Sequence, residues 1–145
     1  MTTSQFKSRR WRLGNALVSL LARAGIGPVH LLTVPGRRTG RPHTVPVVSV
    51  TQDDRRWLVA FYGAVSWVHN ARAAGRVSLR RGAEAGDYAV REARPDEAGP
   101  VLKCYVAVAS RTRASFQASR DAPVTEFAAE AHRHPVFELI PLGAG

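Results

Sequence analysis

The chain has 145 residues, 45% of them hydrophobic, and a formal net charge of +10 from 21 Lys+Arg against 11 Asp+Glu. That length suits one domain with a real core, and the composition excludes a disordered or fibrous chain. The excess of cations favours an anionic partner (nucleic acid, an anionic membrane face, or a phosphorylated or carboxylated small molecule), and the single Cys104 excludes an intramolecular disulfide.

Residues 1–28 open with Lys7, Arg9, Arg10 and Arg12, after which Leu13, Ala16, Leu17, Leu20, Leu21 and Ala24 recur at helical spacing. A basic amphipathic helix ended by Gly25 and Gly27 is expected there. It would lie on the domain's own core or, with Trp11 at the interface, on an anionic membrane. Arg23 cuts the apolar run short and no small-x-small cleavage site follows. Nothing approaches the roughly 18 apolar residues of a membrane span. The expectation is a cytoplasmic protein, peripheral at most at the inner face of the membrane.

Residues 29–145 read as the body of the domain. Val29 to Val34 and His43 to Thr51 are rich in β-branched residues and bounded by turn chemistry, so both are expected strands. Gln52 to Arg56 is a turn, and Trp57 to Tyr62 a third strand. Residues 65–75 predict a short helix, with Ser66 as N-cap and Gly75 as its stop. Residues 76–82 and 86–94 predict a hairpin. Pro95-Asp96-Glu97 opens a helix that carries Val101, Leu102, Tyr105 and Val108. Residues 110–122 show no clean period; a short helix from Pro123 to about His132 and a strand at 136–142 complete the chain. Six short strands interrupted by small helices predict a mainly β (α+β) fold: a mostly antiparallel barrel with helices outside, not a doubly wound parallel sheet.

Several chemistries lack their residues. No G-x-G-x-x-G, P-loop or G-x-S-x-G elbow occurs, and no convincing pair of carboxylates. His132 and His134 form an H-x-H without a third ligand at zinc spacing, so no metal site is expected. Cys104 shares a helical face with Val101 and Val108, which favours a buried structural thiol. No recognition helix or stacking platform accompanies the basic residues, so no specific nucleic acid is expected.

The stretch "PGRRTGRP" remains. Pro35-Gly36 carries a type II turn signal, and Gly40 suits a left-handed residue. Turns of this kind aim backbone N–H groups into a concavity that fits an anion, and Arg37, Arg38 and Arg41 surround it with guanidinium groups. The alternative is a solvated hairpin turn. A second element, "FYGAVSWVHNARAAG", puts Ser66, Trp67 and Asn70 near a helix start, where free N–H groups and the helix dipole favour negative charge. Trp67 and Tyr62 can wall a flat ring there, or Trp67 can simply pack the helix down.

Together, "GRRTGRPHTVPV" and "SWVHNARAAG" resemble the deazaflavin-dependent nitroreductase and quinone reductase family, over residues 29–82 and more loosely to the C-terminus. The resemblance implies a split β-barrel that binds coenzyme F-420, an 8-hydroxy-5-deazaflavin with a phosphate and an oligoglutamate tail. It also implies hydride transfer to an electron-poor acceptor such as a quinone, a nitro compound or another conjugated small molecule. By match to the motif, Arg37, Arg38 and Thr39 would hold the phosphate region. His43, Thr44, Val45, Pro46, Val47 and Val48 would run along the cofactor, with Pro46 near the ring. Ala60, Phe61, Tyr62 and Gly63, then Ser66, Trp67, Val68, His69 and Asn70, would close the other side. Tyr62, Ser66 and Tyr105 are candidates, on chemical grounds, to polarise or protonate the acceptor. Arg38 stands where the family often has lysine, and "SRTRASFQASRDAP" stands where nitroreducing members carry a tyrosine-rich segment. FMN on the same fold, or a non-catalytic barrel for a cofactor or lipid, are the alternatives. Both monomer and homodimer are compatible with the chain.

Overall fold

The computed structural model describes residues 29–109 and 114–142. The helix expected within residues 1–28 lies outside the described residues. The elements run β1 (Val29–Pro35), β2 (Pro42–Gln52), β3 (Arg55–Val59), α1 (Ser66–Ala74), β4 (Arg76–Arg81), β5 (Glu84–Glu92), α2 (Pro95–Val108), α3 (Val124–Ala129), a 3-10 turn (Ala131–Arg133) and β6 (Val136–Pro141). The strands close into a barrel in the order β1-β2-β3-β6-β5-β4, and every neighbouring pair is antiparallel. This is the expected architecture.

Strand alternation divides the apolar residues between two cores. Leu32, Val34, Leu58, Ala60, Val77, Leu79, Phe137 and Leu139 form an inner cluster, to which α1 adds Val68, Ala71 and Trp67. Val50, Trp57, Val59 and Val136 belong to the other, packing with Ala98, Val101, Leu102, Tyr105 and Val106 of α2 and with Phe116 and Phe127. Complete burial of Val101, Leu102 and Val106 contributes roughly 1.5–3 kcal/mol each. Arg91 on β5 ties this assembly electrostatically. It donates to both Glu97 oxygens at the start of α2 (2.9 and 2.8 Å) and to Glu138 on β6 (3.2 and 2.8 Å). The Arg91 hydrogen bonds, followed by the Arg94 N–H, hold the Glu97 carboxyl down to about 2.

Several boundaries differ from expectation, each for a local reason. The third strand ends at Val59: the Ala60 N–H still bonds across to the Pro135 carbonyl, the next position of the β3–β6 register, and Gly63 (φ 95°) then reverses the chain with its N–H on the Ala60 carbonyl. Ser66 is the first helical residue of α1 and not its cap; Val65 caps the helix with extended backbone and no side-chain bond. Gly75 does end α1, at φ 70°. β5 begins two residues early, and the helix expected to reach His132 breaks at Glu130. On α2, Val108 is half-exposed and Cys104 only half-buried, so the apolar face sits further round, on Leu102, Tyr105 and Val106.

Candidate functional site

The arginine turn between β1 and β2 is built differently from the type II turn expected at Pro35-Gly36. Gly36 lacks the positive φ such a turn requires, whereas Gly40 takes it at 76°. Gly36 is required for space: a Cβ there would stand 2.8 Å from His43 Nε2 and 3.1 Å from the Arg41 carbonyl. The Gly36 N–H donates to the Arg41 carbonyl (2.8 Å) and the Gly40 N–H to the Gly36 carbonyl (2.9 Å). The Arg41 N–H reaches Thr39 Oγ1 at 3.3 Å.

Arg37 has a different task from its neighbours. Its backbone N–H and its Nη1 both donate to Asn70 Oδ1, at 3.1 and 2.8 Å. Asn70 is only 5% exposed, one turn into α1. This pair fastens the turn to the helix, so the two segments singled out in the sequence are one structural unit. Arg38, Thr39 and Arg41 stay exposed at its rim. The N–H groups of Arg38 and Thr39 make no backbone hydrogen bond among the described residues, which leaves two successive donors at the tip beside free guanidinium groups.

The strand that follows does not present six residues to one surface. Val45 and Val47 pack onto the inner core, and Val48 onto the other. Thr44 lies opposite Thr33 and shares a 2.9 Å hydroxyl contact with it. By alternation Thr44, Pro46 and Val48 form one face, and His43, Val45 and Val47 the other.

Across the site, Tyr62 projects from the Ala60–Gly63 loop at 73% exposure, its ring 4.0 Å from that of Phe61. Ser66 and His69 are exposed. The Val68 and His69 N–H groups both go to the Val65 carbonyl, leaving those of Ser66 and Trp67 at the helix start, where no acidic residue stands. Trp67 packs toward Phe137 with ring centres 5.9 Å apart, and Val68 is fully buried. Tyr105 is 2% exposed behind Phe61 and Phe116. Of the three acceptor-side candidates, Tyr62 and Ser66 therefore reach the surface and Tyr105 does not. A groove of about 500 Å³ does exist elsewhere, lined by Gln52, Lys103, Cys104 and Arg120 among others. No residue of the arginine turn or of α1 borders it.

One cluster escaped the sequence reading. Glu130 and His134 are 5% and 3% exposed. His134 Nε2 meets Glu130 Oε1 at 2.9 Å, and Nδ1 meets the Phe61 carbonyl at 2.9 Å. Glu130 also accepts the N–H groups of Gln117 (3.1 Å) and Ala118 (2.8 Å). Burial pushes the Glu130 carboxyl up, but the Ala118 N–H, His134 and the Gln117 N–H outweigh it, so the group is held below the usual carboxylate value. His132, by contrast, is exposed. The i, i+4 spacing of Glu130 and His134 was the available signal; the H-x-H pattern drew attention to the wrong neighbour.

A family model described as F420H(2)-dependent quinone reductase matches residues 7–128. A solved structure described as an F420-H2 dependent reductase is 23% identical, with a TM-score of 0.54 over 77% of this chain and 93% of that one. Another, described as a domain-swapped dimer, is 19% identical, with a TM-score of 0.57 over 96% and 99%. A FAD-binding protein from Mesorhizobium loti is 15% identical, with a TM-score of 0.52 over 88% and 89%. At these identities the likeness is one of fold, and one fold serves several cofactors. Among the described residues no helix is long and apolar enough to cross a membrane.

Proposed function

Because the chain belongs to the F420H(2)-dependent quinone reductase family, a family of oxidoreductases, we propose that it delivers a hydride from reduced coenzyme F-420 to a quinone or a similarly flat, electron-poor acceptor. The observation that carries this reading is the double hydrogen bond from Arg37 to Asn70, which fixes a cationic turn against the start of α1.

When bound, the deazaflavin supplies the hydride, and the protein supplies orientation and electrostatics. The donor set fits an anionic cofactor: Arg38 and Arg41 are exposed guanidinium groups beside the N–H groups of Arg38 and Thr39, suited to a phosphate. Arg37 holds that rim in place through Asn70. The Ser66 and Trp67 N–H groups add a partial positive charge on the adjoining side. Tyr62 offers an exposed aromatic face to a flat acceptor, and the exposed hydroxyls of Tyr62 and Ser66 are the candidates to give the acceptor oxygen a proton. Alignment of donor and acceptor at about 3–3.5 Å, with water excluded, is the contribution asked of such a site.

Fluorescence titration with oxidised coenzyme F-420, FMN run in parallel, tests the reading. Binding at micromolar coenzyme is expected, weakened at least about tenfold in Arg38→Ala/Arg41→Ala with an unchanged melting temperature, since neither side chain supports the fold. Oxidation of the reduced coenzyme by menadione is expected to follow. Binding of FMN in its place would replace the mechanism, and binding of neither would end the proposal.

A further inference from the structure

The Glu130–His134 pair lies outside every segment matched to the cofactor, yet it bonds both to the loop that presents Tyr62 and to a second segment at 117–118. One end of the imidazole is bonded to the Phe61 carbonyl, inside the Ala60–Gly63 loop that presents Tyr62. The other is bonded to Glu130, whose two oxygens collect the N–H groups of Gln117 and Ala118. Residues 116–118 lie in the connection between α2 and α3. The Phe116 ring lies 4.1 Å from the His134 ring, tilted by 32°. The contacts of Phe61 with Tyr105 (6.1 Å) and of Tyr105 with Phe116 (6.3 Å) close a ring of aromatic groups around the pair.

The hydrogen-bond inventory is restrictive. The Phe61 carbonyl can only accept, so Nδ1 carries a proton. Glu130 Oε1 and Oε2 each accept a backbone N–H, and the 2.9 Å contact of Oε1 with Nε2 leaves no polar atom of the pair without a partner. A buried pair with every donor and acceptor used is rigid and specific, and loss of one partner leaves the other uncompensated.

We propose that Glu130 and His134 are positioning residues that lock the Ala60–Gly63 loop to the 116–118 segment, and thereby set the acceptor's distance from the hydride donor. Neither residue touches substrate; both act through Phe61, Tyr62 and Phe116. The catalytic half of this inference rests on the proposed function, and the mechanical half does not.

Two conservative variants and two readouts separate the halves. His134→Asn keeps a donor near the Phe61 carbonyl and loses the Glu130 bond; Glu130→Gln keeps the shape and loses the charge. In hydrogen exchange, amides of residues 61–63 and 116–118 are expected to exchange faster together in either variant, with strands β1, β2 and β4 unchanged. In steady-state kinetics with coenzyme F-420 and menadione, kcat/KM for the acceptor is expected to fall about tenfold to a hundredfold. The coenzyme's Kd, set at the arginine turn, should stay within about twofold. The double variant should lose no more than the worse single one, because the pair acts as a unit. Uncoupled exchange of the two segments in folded variants would overturn the proposal whatever the enzyme reduces. Coupled exchange with unchanged kcat/KM would overturn its catalytic half. Failure of the wild type to bind the coenzyme would refute the proposed function instead, with the exchange data still deciding the lock.

Discussion

Asn70→Ala is the substitution that reaches furthest into the proposed site. Asn70 Oδ1 accepts one neutral and one charge-assisted bond from Arg37. A neutral bond contributes about 1 kcal/mol net and one to a charged group about 1.5–3 kcal/mol. Arg37 is exposed and water replaces much of the second bond, so a loss of about 1–2 kcal/mol is expected. For a chain of this size that lowers the melting temperature by roughly 3–8 °C. Thermal unfolding followed by circular dichroism measures it, and Arg37→Ala completes a double-mutant cycle with an expected coupling of about 1 kcal/mol. Asn70→Asp keeps both acceptor contacts and so should hold the melting temperature within about 2 °C, while its negative charge beside the turn weakens coenzyme binding. If Asn70→Ala costs the same with Arg37 present or absent, and coenzyme affinity does not move, the turn and the helix are not a unit and the argument fails.

The two glycines of the turn should respond differently to alanine. Gly36→Ala drives a Cβ to 2.8 Å from the His43 ring, so His43→Ala is expected to recover part of its lost stability. Gly40→Ala meets nothing within 4 Å but is strained at φ 76°; it should cost about 1 kcal/mol with no rescue by His43→Ala. Equal rescue of both in thermal melts would contradict the geometry. For Glu97, the folded value of about 2 lies below the free value of 4.5. The ionised form is therefore favoured by folding, and its contribution is complete above about pH 5 and lost as pH falls toward 2. Glu97→Gln should be less stable than wild type at pH 6, with the two curves converging on acidification. A gap in urea midpoints that stays constant from pH 6 to 2 would rule this out.

The barrel was legible because its signals are local. β-branched runs bounded by Pro, Gly and Asp, a turn expected over Gln52–Arg56 and a Pro95 helix start each announce an element. The structure narrows that turn to Asp53-Asp54, because Gln52, Arg55 and Arg56 pair in the β2–β3 ladder. The motif segments were visible for the same reason. What could not be read was tertiary. That Arg37 and Asn70 meet depends on how α1 seats on β1, not on their separation of 33 positions in the chain. Gly36 looked like a turn glycine because sequence carries no sign of the His43 ring pressed against it. Trp67 was open to either reading and sits half-buried against the inner core, while Tyr105, a candidate on chemical grounds, is 2% exposed. The i, i+4 spacing of Glu130 and His134 hinted at their contact, but their other partners are backbone groups of Phe61, Gln117 and Ala118, which have no sequence signature.

The strand order also constrains when the protein can become itself. β6, residues 136–141, sits between β3 and β5, which precede it by many residues. Until it arrives, both of those strands present open edges able to recruit another chain, and the long loops to be closed make this step slow. The Pro135 carbonyl and the His134 ring, which fasten the Ala60–Gly63 loop, immediately precede that strand. The last strand to pair therefore brings the loop's clamp with it. Before that strand pairs, the β1–β2 hairpin and its arginine turn can already form, whereas the Ala60–Gly63 loop lacks the Pro135 and His134 bonds that hold it.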